Sequence, residues 1–385
     1  MRKIVSAIPK PKPEELLRKT FARFTDEEII PVAREMDEEE KFPRWMFDKI
    51  AKTGAYGIRY PRSVGGASGN TTQFCIMVEE LARGSMSVAA FTAMQCLMGT
   101  NFLFQYGTAE QHERLLKPAI RGEKVASFAL TEADAATDLG GIKTTAIQDG
   151  ESWVINGSKT WITNAPVADF FTVLCQTDKA KKLRGMNFFL IERGTPGLYV
   201  SKKFQKLGTR ATEISELAFS DVRVPLENRL GNEGQGLSNL LRILSVIRAM
   251  TAALSLGLSR AAFEHSKRYT LERAQFGKKI AGYQLIQQKI ANMATEIWAS
   301  HLMTYKTTEM IDSGERALKE ASMAKYFASE VACRATDEAT RIFGAYSYSM
   351  EYDVQRFYRD CRFLLFGGGT SEILQTIISR ECGVF

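Results

Sequence analysis

Histidine is scarce: the 385 residues contain 3, namely His112, His265 and His301, far apart and each in a helix-like stretch. That spread argues against Ser–His or Cys–His catalysis and against a histidine metal site. The six cysteines, Cys75, Cys96, Cys175, Cys333, Cys361 and Cys382, show no CxxC spacing and mostly sit in apolar surroundings. They read as reduced, buried thiols rather than a disulfide framework or a zinc site. Long hydrophobic runs are missing too: each apolar stretch is interrupted before the ~20 residues a membrane span needs. The opening MRKIVSAIPKPKPEELLRK has no small-residue cleavage site. The expectation is a cytoplasmic protein without a membrane span. A basic stripe is also absent. Lys and Arg number 51 against 44 Asp and Glu, yet they are interspersed, as in SGERALKEASMAK. Without an aromatic-interleaved basic patch, nucleic acid is not the expected partner. A modest cation excess suits a polyanionic small molecule, such as a nucleotide or coenzyme.

What is present divides into three textures, and the length exceeds a single core. Residues 1–123 read as an N-terminal helical domain. PEELLRKTFARF, TDEEIIPVAREMDEEE, RWMFDKIAKTG and TTQFCIMVEELARG carry apolar residues at three- and four-residue intervals. The uncharged stretch SVAAFTAMQCLMGTNFLFQYG reads either as a buried core helix or as the wall of an apolar pocket. Residues 124–235 read as a middle β domain, a sandwich or barrel, with TTAIQDGESWVING as a hairpin. Residues 236–385 return to a long helical period and predict an antiparallel four-helix bundle. The fold class expected is α+β.

Several stretches offer chemistry. SFALTEADAATD ends a β-run in a turn whose backbone N–H groups and hydroxyls, Thr131 and Thr137, suit a phosphate or the polar edge of a flavin. In KTWITNA, Trp161 suits cover for an aromatic cofactor and Thr163 a donor to a ring nitrogen, although taken alone the stretch reads better as a core Trp with a satisfied Thr. ERAQFGKKIAGYQLIQ breaks a long helix, with Arg273 suited to a pyrophosphate and Gly277 permitting the turn. RIFGAYSY ends another helix at Gly344. GGGTSEIL places Thr370 and Ser371 at a helix start, either as a simple cap or beside a bound anion.

Together EEIIPVAREMD, ALTEADAATD, NGSKTWITNA, KLGTRATEISELAFSDVRVP, RAQFGKKIAGYQLIQ, RIFG and GGTSEIL resemble, in order and spacing, the acyl-CoA dehydrogenase family across essentially the whole chain. The resemblance implies bound FAD, a homotetramer, an acyl-CoA substrate and electron-transfer flavoprotein as acceptor. It implies that Phe128, Leu130, Thr131, Trp161 and Thr163 face the flavin. Arg273, Gln275, Phe276, Gln284, Arg341 and Gly344 would contact FAD of a neighbouring subunit, and Thr370 and Glu372 would complete the cofactor site. Thr137, Arg248 and Gly369 would lie along the acyl-CoA thioester.

The departures bear on chemistry. The family's usual ALTEPxAGSD is ALTEADAATD here, and the residue pair around the helix-ending glycine is Arg341 and Ala345. Most members carry a catalytic Glu directly before GTSEI, which is Gly368 here. Another branch carries it one residue before the Arg of SVIRAM, which is Ile247. The catalytic base is therefore unassigned. The stretch 85–104 offers only Gln95, Cys96, Thr92 and Thr100 as substitutes. The function expected is FAD-dependent oxidoreduction of a cyclic or otherwise unusual acyl-CoA, with hydride transfer to flavin N5 and a displaced proton acceptor. The alternatives are a redox-neutral, desulfinase-like acyl-CoA lyase and a base-less subunit of a hetero-oligomeric dehydrogenase.

Overall fold

An interrupted series of helices comes first in the computed structural model, which describes residues 12–384. They are α1 Pro13–Phe24, α2 Ala33–Glu39, α3 Arg44–Lys52, α4 Thr71–Gly84, α5 Met86–Ala93, α6 Asn101–Tyr106, α7 Ala109–Gln111 and α8 Lys117–Ile120. Local chemistry sets the breaks. Asn70 Oδ1 accepts from Gln73 N while Gln73 Oε1 accepts from Asn70 N, a capping box that starts α4. Ser85, extended, ends α4 and caps α5 through Val88 N. The uncharged stretch after Ser85 is one apolar segment in sequence but three in structure, with a π-helical turn at Met94–Met98. It is core: Phe91, Cys96, Leu97 and Phe102 are fully buried.

The β domain has strands β1 Ala126–Ala129, β2 Thr145–Asp149, β3 Ser152–Thr163, β4 Phe170–Gln176, β5 Met186–Glu192, β6 Leu198–Val200, β7 Ile214–Pro225 and β8 Arg229–Leu230. One leaf runs β6-β7-β3-β2; the other runs β4-β5-β8, with β1 parallel on β4. The two leaves join at a single pair, Thr145 with Gln176. The hairpin expected at 144–157 is β2–β3, with Asp149 opposite Ser152. Strand β4 is buried at every position and its sequence, FFTVLCQ, is mostly apolar, whereas β7 alternates.

Three long helices follow, α9 Gly236–Glu272, α10 Gln284–Asp312 and α11 Leu318–Phe343, then the short α12 Val354–Asp360 and α13 Ser371–Glu381. The 11-residue α13 is laid on α11, while α4 packs on both α9 and α10. Between α9 and α10 the chain forms a two-stranded turn, β9 Ala274–Gln275 and β10 Lys278–Lys279. Helix α9 and the segment 86–106 are long and apolar enough to cross a bilayer, contrary to the expectation of interrupted runs. Isolated charges such as Arg248 break an apolar run in sequence but leave the helix apolar on average. About four fifths of each segment is packed inside the chain.

The helical domains are fastened by buried charge. Glu79 and Glu80 on α4 take Arg18 from α1 and Arg260 from α9, and Tyr305 of α10 donates to Glu79. Such an assembly holds only when every charge is paired. Close approach is the second device: a Cβ on Gly257 would lie 2.2 Å from Glu79 O, so α9 and α4 meet backbone to backbone. All six cysteines are free thiols, five of them buried.

Candidate functional site

The triglycine turn is held by a residue the sequence reading passed over. Lys325 on α11 is fully buried and donates to Gly369 O at 2.6 Å and Leu365 O at 3.2 Å. Burial pulls its pKa down to about 8, with Glu330 partly opposing that shift. Its signal in sequence was spacing: Ser322, Lys325 and Ser329 share the buried face of α11 with Ala321, Ala324 and Ala328. Beyond the turn, Thr370 Oγ1 accepts from Ile373 N and caps α13.

The two positions at which the family resemblance leads one to expect a base, 247 and 368, are neighbours in space. A Cβ built on Gly368 would lie 3.0 Å from Thr251 Oγ1 and 3.6 Å from Ile247 Cγ2. Position 368 has φ +74° and 369 has φ +113°, the region that favours glycine. Thus 247 and 368 bound one spot, and neither supplies a carboxylate. Thr251 is occupied, donating to Ile247 O at 2.8 Å, the first rung of a ladder that continues through Ser255 and Ser259.

Beside this spot lies a buried cation. Arg248 is 4% exposed, donates from Nη1 to Ser322 Oγ at 3.1 Å, and leaves Nε without a partner. Among the described residues no carboxylate is paired with it; burial pulls its pKa down to about 10, so it remains protonated at neutral pH. Ser322 and Lys325 lie one turn apart on α11, so Arg248, through Ser322, meets the same helix face as Lys325, and its charge adds to the lowering of the Lys325 pKa.

The substitutes on the segment 85–104 are committed to the core. Gln95 donates to Ala119 O and Lys124 O and accepts from Ala126 N, tying this segment to β1. Cys96 donates to Ala55 O, and burial raises its pKa. Thr100 donates to Gln95 O and meets Tyr60 Oη. Thr92 is fully buried without a hydrogen-bond partner. A hydroxyl among apolar side chains is no proton acceptor, so this segment does not supply the displaced acceptor.

On the β side, Thr160 N donates to Thr131 O at 2.9 Å, which brings Leu130 and Thr131 beside Trp161 and Thr163. All four are half-buried or exposed. Trp161 has φ +59°, which turns its indole outward to 61% exposure, edge-on to Phe204. Phe128 lies at the buried end of this group. Its ring is packed against Phe102 and Phe188, because β1 is buried at all four positions. The brace of this turn was also unforeseen. Lys159, fully buried, donates to Leu130 O and Glu132 Oε1, and Glu132 also accepts from the N–H groups of Lys143 and Thr144. Burial opposes the Glu132 charge, yet Lys159 and these donors outweigh it and hold the carboxyl below its ordinary range.

A second group gathers at the far end of the bundle. Arg273 lies over the Tyr346 ring at 5.6 Å, and Tyr269 stacks on Phe343 at 4.0 Å. Phe276, at φ +51° on the hairpin tip, is 95% exposed. Gln275 and Gln284 are exposed; Arg341 is exposed and paired with Asp337. Gly344 ends α11 at φ +60°, ψ −137°, a conformation only glycine takes readily. Among the described residues, no hydrogen bond or ring contact joins this group to Trp161 and Thr163. Thr137 and Glu372 are exposed, and Gly369 lies in the turn held by Lys325.

The chain matches the family descriptions "Acyl-CoA dehydrogenase, N-terminal domain" over 11–123, "middle domain" over 127–222 and "C-terminal domain" over 234–383. It is 46% identical over 369 residues to "Benzylmalonyl-CoA dehydrogenase" of Aromatoleum aromaticum, covering 96% of this chain and 97% of the relative. It is 38% identical to "Caffeyl-CoA reductase-Etf complex subunit CarC" of Acetobacterium woodii, covering 95% and 97%. The butyryl-CoA dehydrogenase structure from Megasphaera elsdenii superposes with a TM-score of 0.93 at 34% identity, covering 97% and 99%. Helical, β and helical regions thus follow one another as they do in these relatives, and the chain belongs to the acyl-CoA dehydrogenase family, as an oxidoreductase whose relatives act on unusual acyl-CoAs.

Proposed function

We propose that this chain binds FAD and exchanges two electrons with the Cα–Cβ bond of an acyl-CoA bearing an aryl, cyclic or similarly bulky acyl group. One observation carries this reading: positions 247 and 368 adjoin, and neither supplies a carboxylate, while the family frame around them is intact. Straight-chain dehydrogenation needs a positioned base, worth about 10² to 10⁴ in rate. Its loss disfavours ordinary saturated substrates and favours thioesters whose own substituents ease the step. The relatives named for benzylmalonyl-CoA, caffeyl-CoA and cyclohexane-1-carbonyl-CoA support that substrate range.

The side chains fit a flavin. Trp161 offers an outward aromatic face, Thr163 and Thr131 hydroxyls beside it, and Arg273 a cation for a pyrophosphate. Bound FAD supplies the two-electron acceptor for the β hydride. Leu130 and the half-buried end of β3 would help hold the flavin, and Lys159 with Glu132 fixes the backbone there. Because Arg273, Gln275, Phe276, Gln284, Arg341 and Gly344 lie in a separate group, we assign them to the cofactor of a neighbouring subunit. The apolar surface of Phe276, Leu285, Trp298, Leu302 and Tyr348 supports a homotetramer. Thr370 and Glu372 border the cofactor; Thr137, Arg248 and Gly369 border the thioester. The reading includes electron-transfer flavoprotein as acceptor, a cytoplasmic location and domain divisions after 123 and 235.

The test is anaerobic: the purified yellow protein is mixed with butanoyl-CoA, a 3-arylpropanoyl-CoA and a cyclohexene-carbonyl-CoA, and flavin bleaching is followed. Bleaching by a bulky thioester with little response to butanoyl-CoA is the expected result. A colourless protein, or full bleaching by butanoyl-CoA, overturns the reading.

A further inference from the structure

Two cysteines that the chemistry above leaves unused meet where α11 passes the end of α12. Cys333 lies on the buried face of α11, and Cys361 opens the short turn Cys361–Leu365 that follows α12. We infer that the pair is a modification site: a hydroperoxide oxidises Cys333, Cys361 resolves it, and the disulfide so formed pins the segment leading into the glycine turn. The modification needs neither cofactor nor thioester and goes beyond the reading above.

Packing brings the thiols together although 28 positions separate them in the chain. Cys333 Sγ donates to Cys361 O at 3.8 Å, and the two thiol groups also meet each other. Thr336 Oγ1, one turn along α11, lies 3.3 Å from Cys361 Sγ. Contact with the Cys361 thiol, helped by Arg362 and Arg334, holds Cys333 below its ordinary pKa against burial and Glu330. Cys333 is also the more open of the two, 9% exposed against none for Cys361, so a small oxidant meets it first. Cys75, Cys96 and Cys175 contrast with it: all are fully buried, and burial pushes each thiol up. Helix α11 grips the segment at both ends, since Lys325 takes Leu365 O and Cys333 meets Cys361 about two turns further along.

The chemistry balances with the hydroperoxide as sole oxidant. The Cys333 thiolate attacks the terminal peroxide oxygen; an S–O bond forms, the O–O bond breaks, and the departing oxygen takes a proton to leave as water or an alcohol. Cys333 is then a neutral sulfenic acid, and the anion that raised the Cys361 pKa is gone. The Cys361 sulfur next attacks the Cys333 sulfur, so that an S–S bond forms and the S–O bond breaks. Hydroxide leaves with the Cys361 proton as water. The two thiols together give up two electrons, and the peroxide takes both.

The experiment uses the full chain as purified, carrying Cys382→Ser to remove the exposed thiol, which leaves five of the six cysteines. After a brief exposure to hydrogen peroxide, thiols counted in denaturant should fall from five to three and return to five with dithiothreitol. Peptide mapping should find Cys333 joined to Cys361. Adding Cys361→Ser should leave Cys333 as a sulfenic acid that dimedone traps, and adding Cys333→Ser should abolish both the trapping and the disulfide. Amide hydrogen exchange across residues 361–369 should slow in the oxidised protein. Five thiols surviving the peroxide overturn the inference, as does a disulfide to another cysteine, dimedone on another residue, or unchanged exchange across 361–369. If either serine variant fails to fold, the thiol count, the peptide map and the exchange measurement still decide.

Discussion

Placing a carboxylate back at the acid-free spot should create the chemistry the native chain lacks, and the two candidate positions should not respond alike. Ile247 sits on regular helix α9, where Glu needs no unusual backbone. Its replacement gives up the burial of an Ile that is 5% exposed, about 1.5–3 kcal/mol of stability. At Gly368 the backbone φ of +74° adds about 1–2 kcal/mol for any residue with a Cβ. The new Cβ would also stand 3.0 Å from Thr251 Oγ1, closer than ordinary contact. A positioned base contributes about 10² to 10⁴ in rate, or roughly 2.7 to 5.5 kcal/mol of barrier. Ile247→Glu should therefore gain at least about a hundredfold in exchange of the α hydrogens of a 3-arylpropanoyl-CoA in D2O. Flavin bleaching by the same thioester should rise with it. Gly368→Glu should gain less and melt at a lower temperature. NMR of the thioester α protons and anaerobic absorbance measure the two effects. If Ile247→Glu folds, keeps its flavin and binds the thioester, yet exchanges α hydrogens no faster than wild type, the geometry assigned to this spot is wrong. Rapid exchange by the wild type would refute the reasoning at its first step.

Two further expectations concern stability. Lys325→Met leaves Leu365 O and Gly369 O without their donor, at about 1–3 kcal/mol per buried unsatisfied group, read as a lower Tm in thermal unfolding. Because the folded pKa of Lys325 lies near 8, below its ordinary value, the unfolded chain binds more protons in between. Wild-type stability should consequently rise from about pH 8 toward 10.5, and this slope should be absent in Lys325→Met. His265, packed edge-on to Phe357, has its pKa lowered by burial to about 4. Its unfolded form takes a proton first as pH falls, so stability drops between about pH 6.5 and 4. His265→Leu should remove on the order of 3 kcal/mol of that acid-induced loss in denaturant titrations.

The sequence by itself determined the three-part architecture, because each part has its own period: helical at both ends, alternating or mostly apolar in the strands. Turn chemistry was equally legible. Thr370 as a helix cap, Gly277 in the α9–α10 turn and Gly344 at the end of α11 each carry a local backbone requirement. Motif order was enough for the family, and with it the absence of carboxylates at 247 and 368. Tertiary structure alone decided what surrounds that absence. Residues 247 and 368 lie 121 positions apart, and only the packing of α9 against the last turn makes them one place. The same packing buries Arg248 without a counter-ion among the described residues and sets Lys325 under the glycines, although neither differs locally from any helical cation. Phe128, Gln95 and Cys96 also needed the fold, since strand and helix periods place side chains on faces without saying what lies opposite. Charge in a protein acquires meaning from its burial and its neighbours, and those are properties of the assembled chain rather than of any segment.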